Sequence, residues 1–430
     1  MIGQTLRQEI FSSQHELSMS PLAAATPASE RLHALDAVRG LALLLGIVLH
    51  ATMSFAPVPR LWFIQDTHPS VALGLLSFTI HVFRMTTFFL MAGFFARMSF
   101  HRRGAWDFVR DRLQRIGLPL VIGWPIVFTP MSLVVIWASR NGGPFAGLRG
   151  WPLVLPNFPL AHLWFLYVLL ELYVAMLLLR SVLVWLDASG TLRTILDRLF
   201  AGIMRNPLAA LVLAIPIGIA FSLDPKWINA MGVKTPDQSL VTNAQAWIGF
   251  GTAFGVGWLL HRQVDLLRLL ERRWLPHLLL AVGLVLISFV LSGVTLSAPG
   301  APKLPLSSAT LRLVSAVLYA SAIWITTFAV LGLALRFMSG FSPTWRYLAD
   351  ASYWLYLIHM PIVMALQVAV SQLDWPGPIK FAIILVVALP PMLASYHLLV
   401  RFTFVGVVLN GRRAPRETAP ASAVTGPALP

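Results

Sequence analysis

The first long apolar stretch of this chain, LDAVRGLALLLGIVLH, contains two residues that could do chemistry, Arg39 and His50. They are eleven positions apart, about three turns of an α-helix, so their side chains would share one face at a separation of about 16 Å. A guanidinium stays charged at every accessible pH, whereas an imidazole exchanges protons near neutrality. The pair could therefore line a single channel. Two alternatives stay open: Arg39 could snorkel to the lipid headgroups, and His50 could hold helices together by hydrogen bonds.

Three more ionisable side chains lie near mid-depth in later apolar stretches. His81 and Arg84 are three residues apart in SFTIHVFRMTTFFLMAGFFARM, and Glu171 lies in HLWFLYVLLELY. Such groups cost about a few kcal/mol inside lipid, so they usually mark a functional cavity. Arg84 could form a structural ion pair with Glu171. It could also face an anionic or polarised carbonyl substrate while Glu171 orients a histidine, and the two interpretations are compatible.

Three further residues are candidates with a weaker pattern. His359 lies in YWLYLIHMPIV, directly before a Met-Pro step that would bend its helix. His162 and Trp164 begin the stretch that contains Glu171. We expect both at the membrane interface, where aromatic side chains collect.

The composition indicates that helices in a membrane position these residues. Of the 430 residues, 57% are hydrophobic and 11% are charged, whereas a soluble domain carries about a quarter charged residues. Ten stretches are apolar over close to the ~20 residues that a spanning helix needs. The sequence predicts an all-α, polytopic integral membrane bundle of about ten transmembrane helices. The stretches are 38–57, 71–96, 116–138, 161–185, 207–223, 243–261, 275–293, 311–335, 352–371 and 380–401.

Positive charge is unevenly distributed between the predicted loops. The net charge is +15, and Lys and Arg concentrate in alternate loops, on the side of both termini. Because cytoplasmic loops are enriched in these residues, we predict that both termini are cytoplasmic and that the number of spans is even. The basic loop 97–115 is then a topology determinant, and no nucleic-acid partner is predicted.

The remaining sequence features predict the domain limits and exclude several chemistries. Residues 1–30 form a polar N-terminal tail without a signal-peptide core, 31–409 the membrane domain, and 410–430 a Pro- and Ala-rich tail that we expect to be disordered. The chain has no cysteine, which excludes thiolate and disulfide chemistry. It has no zinc, ATPase-loop or hydrolase-elbow motif. We predict no metal site and no tightly bound cofactor.

These motifs, taken in order, resemble the integral-membrane acyltransferase-3 family, and within it the glucan-modifying branch. The resemblance covers residues 31 to about 400. Its most specific element is the R-x10-H of Arg39 and His50, supported by FRMTTFFLMAGFFAR, HLWFLYVLLELY and YWLYLIHMPIV. Some members carry an R-x-x-R near the third helix, and RDRLQR at 110–115 is not assigned to that motif here.

The resemblance implies a membrane O-acyltransferase of the bacterial inner membrane. Its donor would be a cytoplasmic acyl-CoA, used as a co-substrate. Its acceptor would be a hydroxyl of a periplasmic or cell-surface glycan, for this branch an osmoregulated periplasmic glucan. The acyl group, acetyl or succinyl, and the oligomeric state stay open.

The residues can be assigned to roles in such a reaction. His50 would be the general base, since an imidazole near neutrality removes a hydroxyl proton efficiently; a covalent acyl-histidine route stays open as an alternative to direct transfer. Arg84 would stabilise the oxyanion or bind a donor carboxylate, and Glu171 would fix the imidazole tautomer. Donor binding falls to Arg39, with Asp36 as its neighbour. Substrate contact is assigned to His81, Trp164 and His359.

Two other classes of function are compatible with the same residues. A secondary transporter or flippase for a glycan or small anion would also use charges at mid-membrane depth. Its usual internal repeat is not visible in the sequence. A membrane scaffold without chemistry would leave Arg84 unexplained.

Overall fold

The computed structural model describes residues 27–57, 62–140, 157–293 and 307–411, with side chains from His33 onward. The predicted N-terminal tail lies outside these ranges except for its last residues, which begin the first helix, and the predicted C-terminal tail lies outside them from 412. The α-helices are α1 Pro27–Thr52, α2 Val71–Arg103, α3 Ala105–Arg112, α4 Leu118–Arg140, α5 Trp164–Leu186, α6 Thr191–Arg205, α7 Ala209–Leu223, α8 Ala244–Arg262, α9 Leu267–Arg272, α10 Trp274–Leu291, α11 Ser308–Phe337, α12 Pro343–Ser371, α13 Gly377–Ser395 and α14 Phe404–Asn410.

The all-helical prediction is confirmed, and every predicted apolar stretch contains a helix. Within the described ranges eight helices are long and apolar enough to span a membrane. Helices α6 and α7 form a pair bent by 106°, which counts as a ninth span if taken as one. Helix α8 is the remaining predicted span, and it is less apolar because it is rich in glycine and alanine. The cytoplasmic side of the termini stays a prediction.

Helix α8 is packed unusually closely against α2. A Cβ atom on Gly257 would lie 1.9 Å from the Leu90 carbonyl oxygen, and one on Gly93 would lie 2.0 Å from the Phe254 carbonyl oxygen. Only glycine at these two positions lets the helix backbones touch. Van der Waals packing of small residues is the main force between helices in lipid. Close contact with α2 therefore stabilises α8 in the bundle although its hydropathy is modest.

Four helices form the centre of the bundle. The apolar windows of α1, α2, α11 and α12 are 61–72% buried, whereas those of α4, α5, α10 and α13 are 17–28% buried. The outer helices expose large apolar side chains such as Ile126, Leu178 and Leu279, as a surface facing lipid tails should. Most of the ionisable candidates lie on α1, α2 and α12, so the fold places them inside the protein.

A buried ion pair fixes the segment that follows α1. Lys380, on α13, places its Nζ 2.8 and 3.0 Å from the two carboxylate oxygens of Asp66. The side chains are 0% and 1% exposed, and Asp66 also accepts a hydrogen bond from the His68 backbone N–H at 2.8 Å. Burying either charge alone would carry a large desolvation cost, and the attraction and hydrogen bonds between the two groups offset it.

We predict that Lys380→Met lowers the free energy of unfolding by about 3–5 kcal/mol, because it leaves the Asp66 charge buried without a partner. The double variant Lys380→Met/Asp66→Leu should lose less than the single one, since it buries no charge. Detergent-solubilised protein unfolded by heat or denaturant provides the measurement, with the exposed Lys226→Met as control. A single variant as stable as the wild type would contradict the prediction.

Candidate active site

His50 is held by a glutamine of the neighbouring helix. It lies in the last turn of α1, where backbone carbonyls lack their usual helical partners. The Nε2 amide of Gln367, on α12, donates to the His50 carbonyl oxygen at 2.7 Å. The Oε1 atom of the same side chain accepts from the indole N–H of Trp62 at 3.0 Å, and the Trp62 ring lies 5.6 Å from the His50 ring. Gln367 therefore fixes both the histidine and its aromatic neighbour.

Two further histidines face His50. The ring centres of His359 and His50 are 5.3 Å apart, and those of His162 and His359 are 5.0 Å apart. A backbone carbonyl only accepts hydrogen bonds, so His359 donates from Nδ1 to the Tyr356 oxygen and His162 from Nε2 to the Leu357 oxygen. Their other ring nitrogens, and Nδ1 of His50, are buried and have no partner among the described residues. The free nitrogens of His162 and His359 are therefore acceptors, and together with Nδ1 of His50 they are available to a bound molecule.

Arg84 brings a positive charge to the same place. Among the described residues it forms no salt bridge, and its Nε has no hydrogen-bond partner. A Cβ atom on Gly46 would lie 2.3 Å from the guanidinium NH1, so the guanidinium rests directly on the backbone of α1. Gly46 lies on the same helix face as Arg39 and His50. Sequence reasoning missed it, although a glycine on that face was the available signal.

These groups surround a cavity of about 190 Å³, named here the histidine cavity. Its polar side chains are His50, His81, Arg84, Thr86, His162, Thr235, Asp237, Gln238 and His359, and its aromatic side chains are Trp62, Phe63, Phe88, Trp164, Phe165, Phe250 and Tyr356. Asp237 comes from the loop between α7 and α8, and burial raises the pKa of its carboxyl group. Its backbone oxygen accepts from the N–H of Ala161 at 3.0 Å.

The backbone next to the histidine cavity is strained. Ala161 has a φ of 48°, the left-handed region that a residue with a Cβ atom rarely occupies. It lies directly before His162 and lines the cavity itself. Strain of this kind persists only where the surroundings enforce it, and it concentrates at functional sites. The hydrogen bond to Asp237 is part of that enforcement, and the strained backbone aims His162 inward.

A second cavity, of about 160 Å³, lies towards the other end of α1 and is named here the arginine cavity. Arg39, Arg112 and Arg115 line it, together with Tyr173, Tyr353 and Asn410. Asp111 lies 3.1 Å from Arg112 and 3.0 Å from Arg115 and also pairs with Arg103. One carboxylate therefore holds three cations in place, and a second carboxylate, that of Asp350, also lines the cavity.

The two cavities meet at three apolar side chains. Leu43, Phe88 and Phe165 line both of them. Helices α1, α2, α5 and α12 each contribute residues to both cavities, so the arginine and histidine cavities lie along one path through the bundle. The prediction that Arg39 and His50 lie along one lined path agrees with this arrangement.

Two predicted placements are wrong. Glu171 does not pair with Arg84. Its carboxylate accepts from the Thr242 hydroxyl at 2.6 Å, and it lines neither cavity. Among the described residues no contact joins it to His50, and the tautomers of His162 and His359 are set by backbone carbonyls. His162 and Trp164 do not face lipid headgroups, since they are 5% and 8% exposed and line the histidine cavity.

The remaining candidates lie in or near the two cavities. His81 and His359 line the histidine cavity as predicted substrate contacts, although their roles stay predictions. Asp36 lies 3.3 Å from Arg39 but does not line the arginine cavity. Arg112 and Arg115 were not assigned, although their R-x-x-R spacing was the available signal. No group of three or more metal-ligating side chains lies together in the described ranges.

Comparison with known proteins gives one match over most of the chain. The family model of Acyl_transf_3, described as acyltransferase domain, matches residues 32–397. This finding favours an enzyme over the transporter and scaffold alternatives. No solved structure matches.

Curated relatives match a smaller part. Proteins named "Glucans biosynthesis protein C" from Shigella dysenteriae serotype 1 (strain Sd197) and from Escherichia coli O1:K1 / APEC and O9:H4 (strain HS) are 30%, 29% and 29% identical over 149 residues. The match covers 33% of this chain and 37% of each of these relatives.

We predict that Gln367→Leu lowers the free energy of unfolding by about 1–3 kcal/mol, because the His50 carbonyl and the Trp62 indole N–H lose a buried partner. The measurement is denaturant unfolding in detergent. Gln372→Leu, at an exposed position one turn and a half further along, is the matched control. Equal losses for the two variants would show that Gln367 has no special role in holding His50.

Proposed function

This chain belongs to the acyltransferase-3 family of membrane proteins, and we propose that it transfers an acyl group from a cytoplasmic acyl-CoA to a glycan hydroxyl on the opposite side of the membrane. The observation that carries this proposal is the pair of opposed cavities on one path, with cations at one end and unpaired imidazole nitrogens at the other. In bacterial cells the proposed location is the inner membrane.

The arginine cavity supports a donor that carries phosphates. Arg39, Arg112 and Arg115 present guanidinium groups, which bind phosphate oxygens through paired hydrogen bonds. They belong to the basic side of the chain, which we predict to be cytoplasmic from the distribution of Lys and Arg. Acyl-CoA is a cytoplasmic polyanion and enters here as a co-substrate, with no tightly bound cofactor.

The histidine cavity supports a carbohydrate acceptor. Trp62 and Trp164 offer apolar faces, and Asp237 and Gln238 offer hydrogen-bonding groups at its border. Aromatic faces combined with a few placed polar groups are typical of small-molecule sites. Since the relatives are named as glucan biosynthesis proteins, the proposed acceptor is a periplasmic glucan. The proposed acyl group is succinyl or acetyl.

The reaction follows from the positions of His50 and Arg84. His50 takes the proton of the acceptor hydroxyl as its oxygen attacks the thioester carbon. The carbonyl oxygen gains negative charge, which the unpaired guanidinium of Arg84 stabilises. When the tetrahedral intermediate collapses, the C–S bond breaks and the coenzyme A thiolate takes the proton from His50. The products are an ester and free coenzyme A thiol. For a succinyl donor, Arg84 could instead bind the second carboxylate.

We expect His50→Ala to reduce kcat by about 10²–10⁴-fold, the contribution of a positioned general base. The assay follows radiolabel from acyl-CoA to glucan in proteoliposomes that contain the purified protein. His101→Ala, an exposed histidine at the end of α2, should retain wild-type transfer. If correctly inserted His50→Ala protein transfers label at the wild-type rate, His50 is not the base.

We predict that one arginine acts mainly in donor binding and another mainly in the chemical step. Arg115→Gln should raise the KM for acyl-CoA by about 10–100-fold, the loss of a charged hydrogen-bonding partner, and leave kcat less affected. Arg84→Gln should instead reduce kcat by about 10²–10³-fold. Steady-state kinetics in the same proteoliposomes measure both. The same pattern of kcat and KM for the two variants would count against separate donor and reaction ends.

A further inference from the structure

We propose that Leu43, Phe88 and Phe165, named here the constriction, limit the width of the acyl group that the protein accepts. This inference rests on the proposed function, because it concerns the passage of the acyl group from the arginine cavity to the histidine cavity. It assigns the selection of the donor to three apolar side chains rather than to the charged residues.

The position of the constriction follows from the lining of the cavities. Among the described residues, these three side chains are the ones that the two cavities share. They come from three helices, α1, α2 and α5. The rings of Phe88 and Phe165 meet edge to face, with their centres 4.5 Å apart at an angle of 89°. The constriction therefore separates the two cavities at one level of the bundle.

The acyl group must cross that level for a reaction with His50. On α1, Leu43 follows Arg39 by four residues and precedes His50 by seven, which correspond to about 6 and 10 Å along the axis. The phosphates of the donor bind at the Arg39 side, and the proton acceptor lies on the other. For His50 to act on the reaction, the acyl group and its thioester carbon must lie on the His50 side, wherever the rest of coenzyme A is bound.

The chemistry of the constriction selects by shape. All three side chains are hydrocarbon, and each is no more than 9% exposed. They have no polar group that could recognise one acyl group by hydrogen bonding. Side chains in such closely packed surroundings yield little to an extra branch, so a branched acyl group meets more resistance than a straight one with the same number of carbons.

Butyryl-CoA and isobutyryl-CoA test width separately from carbon number. The wild type should prefer butyryl, and Leu43→Ala should reduce the ratio of the two kcat/KM values by about tenfold, as expected for steric selection by a methylene-sized difference. Leu43→Phe should increase the ratio. Leu44→Ala, the neighbouring position that lines neither cavity, should keep the wild-type ratio.

Thiol labelling tests the constriction without any transfer reaction. The chain has no cysteine, so Met53→Cys in the histidine cavity and Ala92→Cys in the arginine cavity each introduce a unique thiol. A small membrane-impermeant methanethiosulfonate, added to sealed vesicles on the side of the histidine cavity, should modify Met53→Cys. It should modify Ala92→Cys at least about tenfold faster when Leu43→Ala is also present, because a removed side chain opens the path.

The outcomes distinguish the two proposals. Absence of label transfer from every acyl-CoA by the wild type would overturn the proposed function, and the thiol experiment would still decide whether the constriction exists. An unchanged butyryl-to-isobutyryl ratio in Leu43→Ala would overturn selection by width. Equal labelling of Ala92→Cys with and without Leu43→Ala would overturn the constriction itself.

Discussion

The positive charge of Arg84 inside the helical bundle is the constraint on which the site depends. Lipid supplies no counter-ion, and among the described residues no carboxylate forms a salt bridge with it. Its cost must be met by stable packing elsewhere. Gly46 provides the space for the guanidinium on α1. The protein thus maintains an anion-attracting group beside the histidines of the cavity, where the proposed acyl transfer would develop negative charge.

Contacts between the helices hold the other side chains of the site in place around Arg84. His50 is fixed through Gln367 to α12, and the segment that carries Trp62 is fixed through Asp66 and Lys380 to α13. His162 is aimed by the strained backbone of Ala161. Each contact joins elements that are distant in sequence, so the site is assembled by packing of the whole bundle rather than by one motif.

Much of this arrangement could be predicted from the sequence, for physical reasons. Helical periodicity relates residues on one helix, so it places Arg39 and His50 on one face of α1, where Arg39 lines the arginine cavity and His50 the histidine cavity. Hydropathy located the helices because lipid-spanning segments must be long and apolar. Neither signal reports how helices pack. Hydropathy and periodicity therefore allowed an ion pair between Glu171 and Arg84, whereas Glu171 accepts a hydrogen bond from Thr242. Lys380 begins the last predicted stretch, but hydropathy gave no sign of its fully buried ion pair with Asp66.

The constriction of Leu43, Phe88 and Phe165 also affects whether ions can leak across the membrane. Two water-accessible chambers on one axis would, if joined, form a pore for protons and metal ions. Hydrocarbon rings at a narrow level exclude hydrated ions, because an ion cannot leave its water shell without replacement ligands. If the acyl group passes this level as proposed, the same three side chains also keep the membrane closed to hydrated ions, so that transfer need not dissipate the transmembrane voltage.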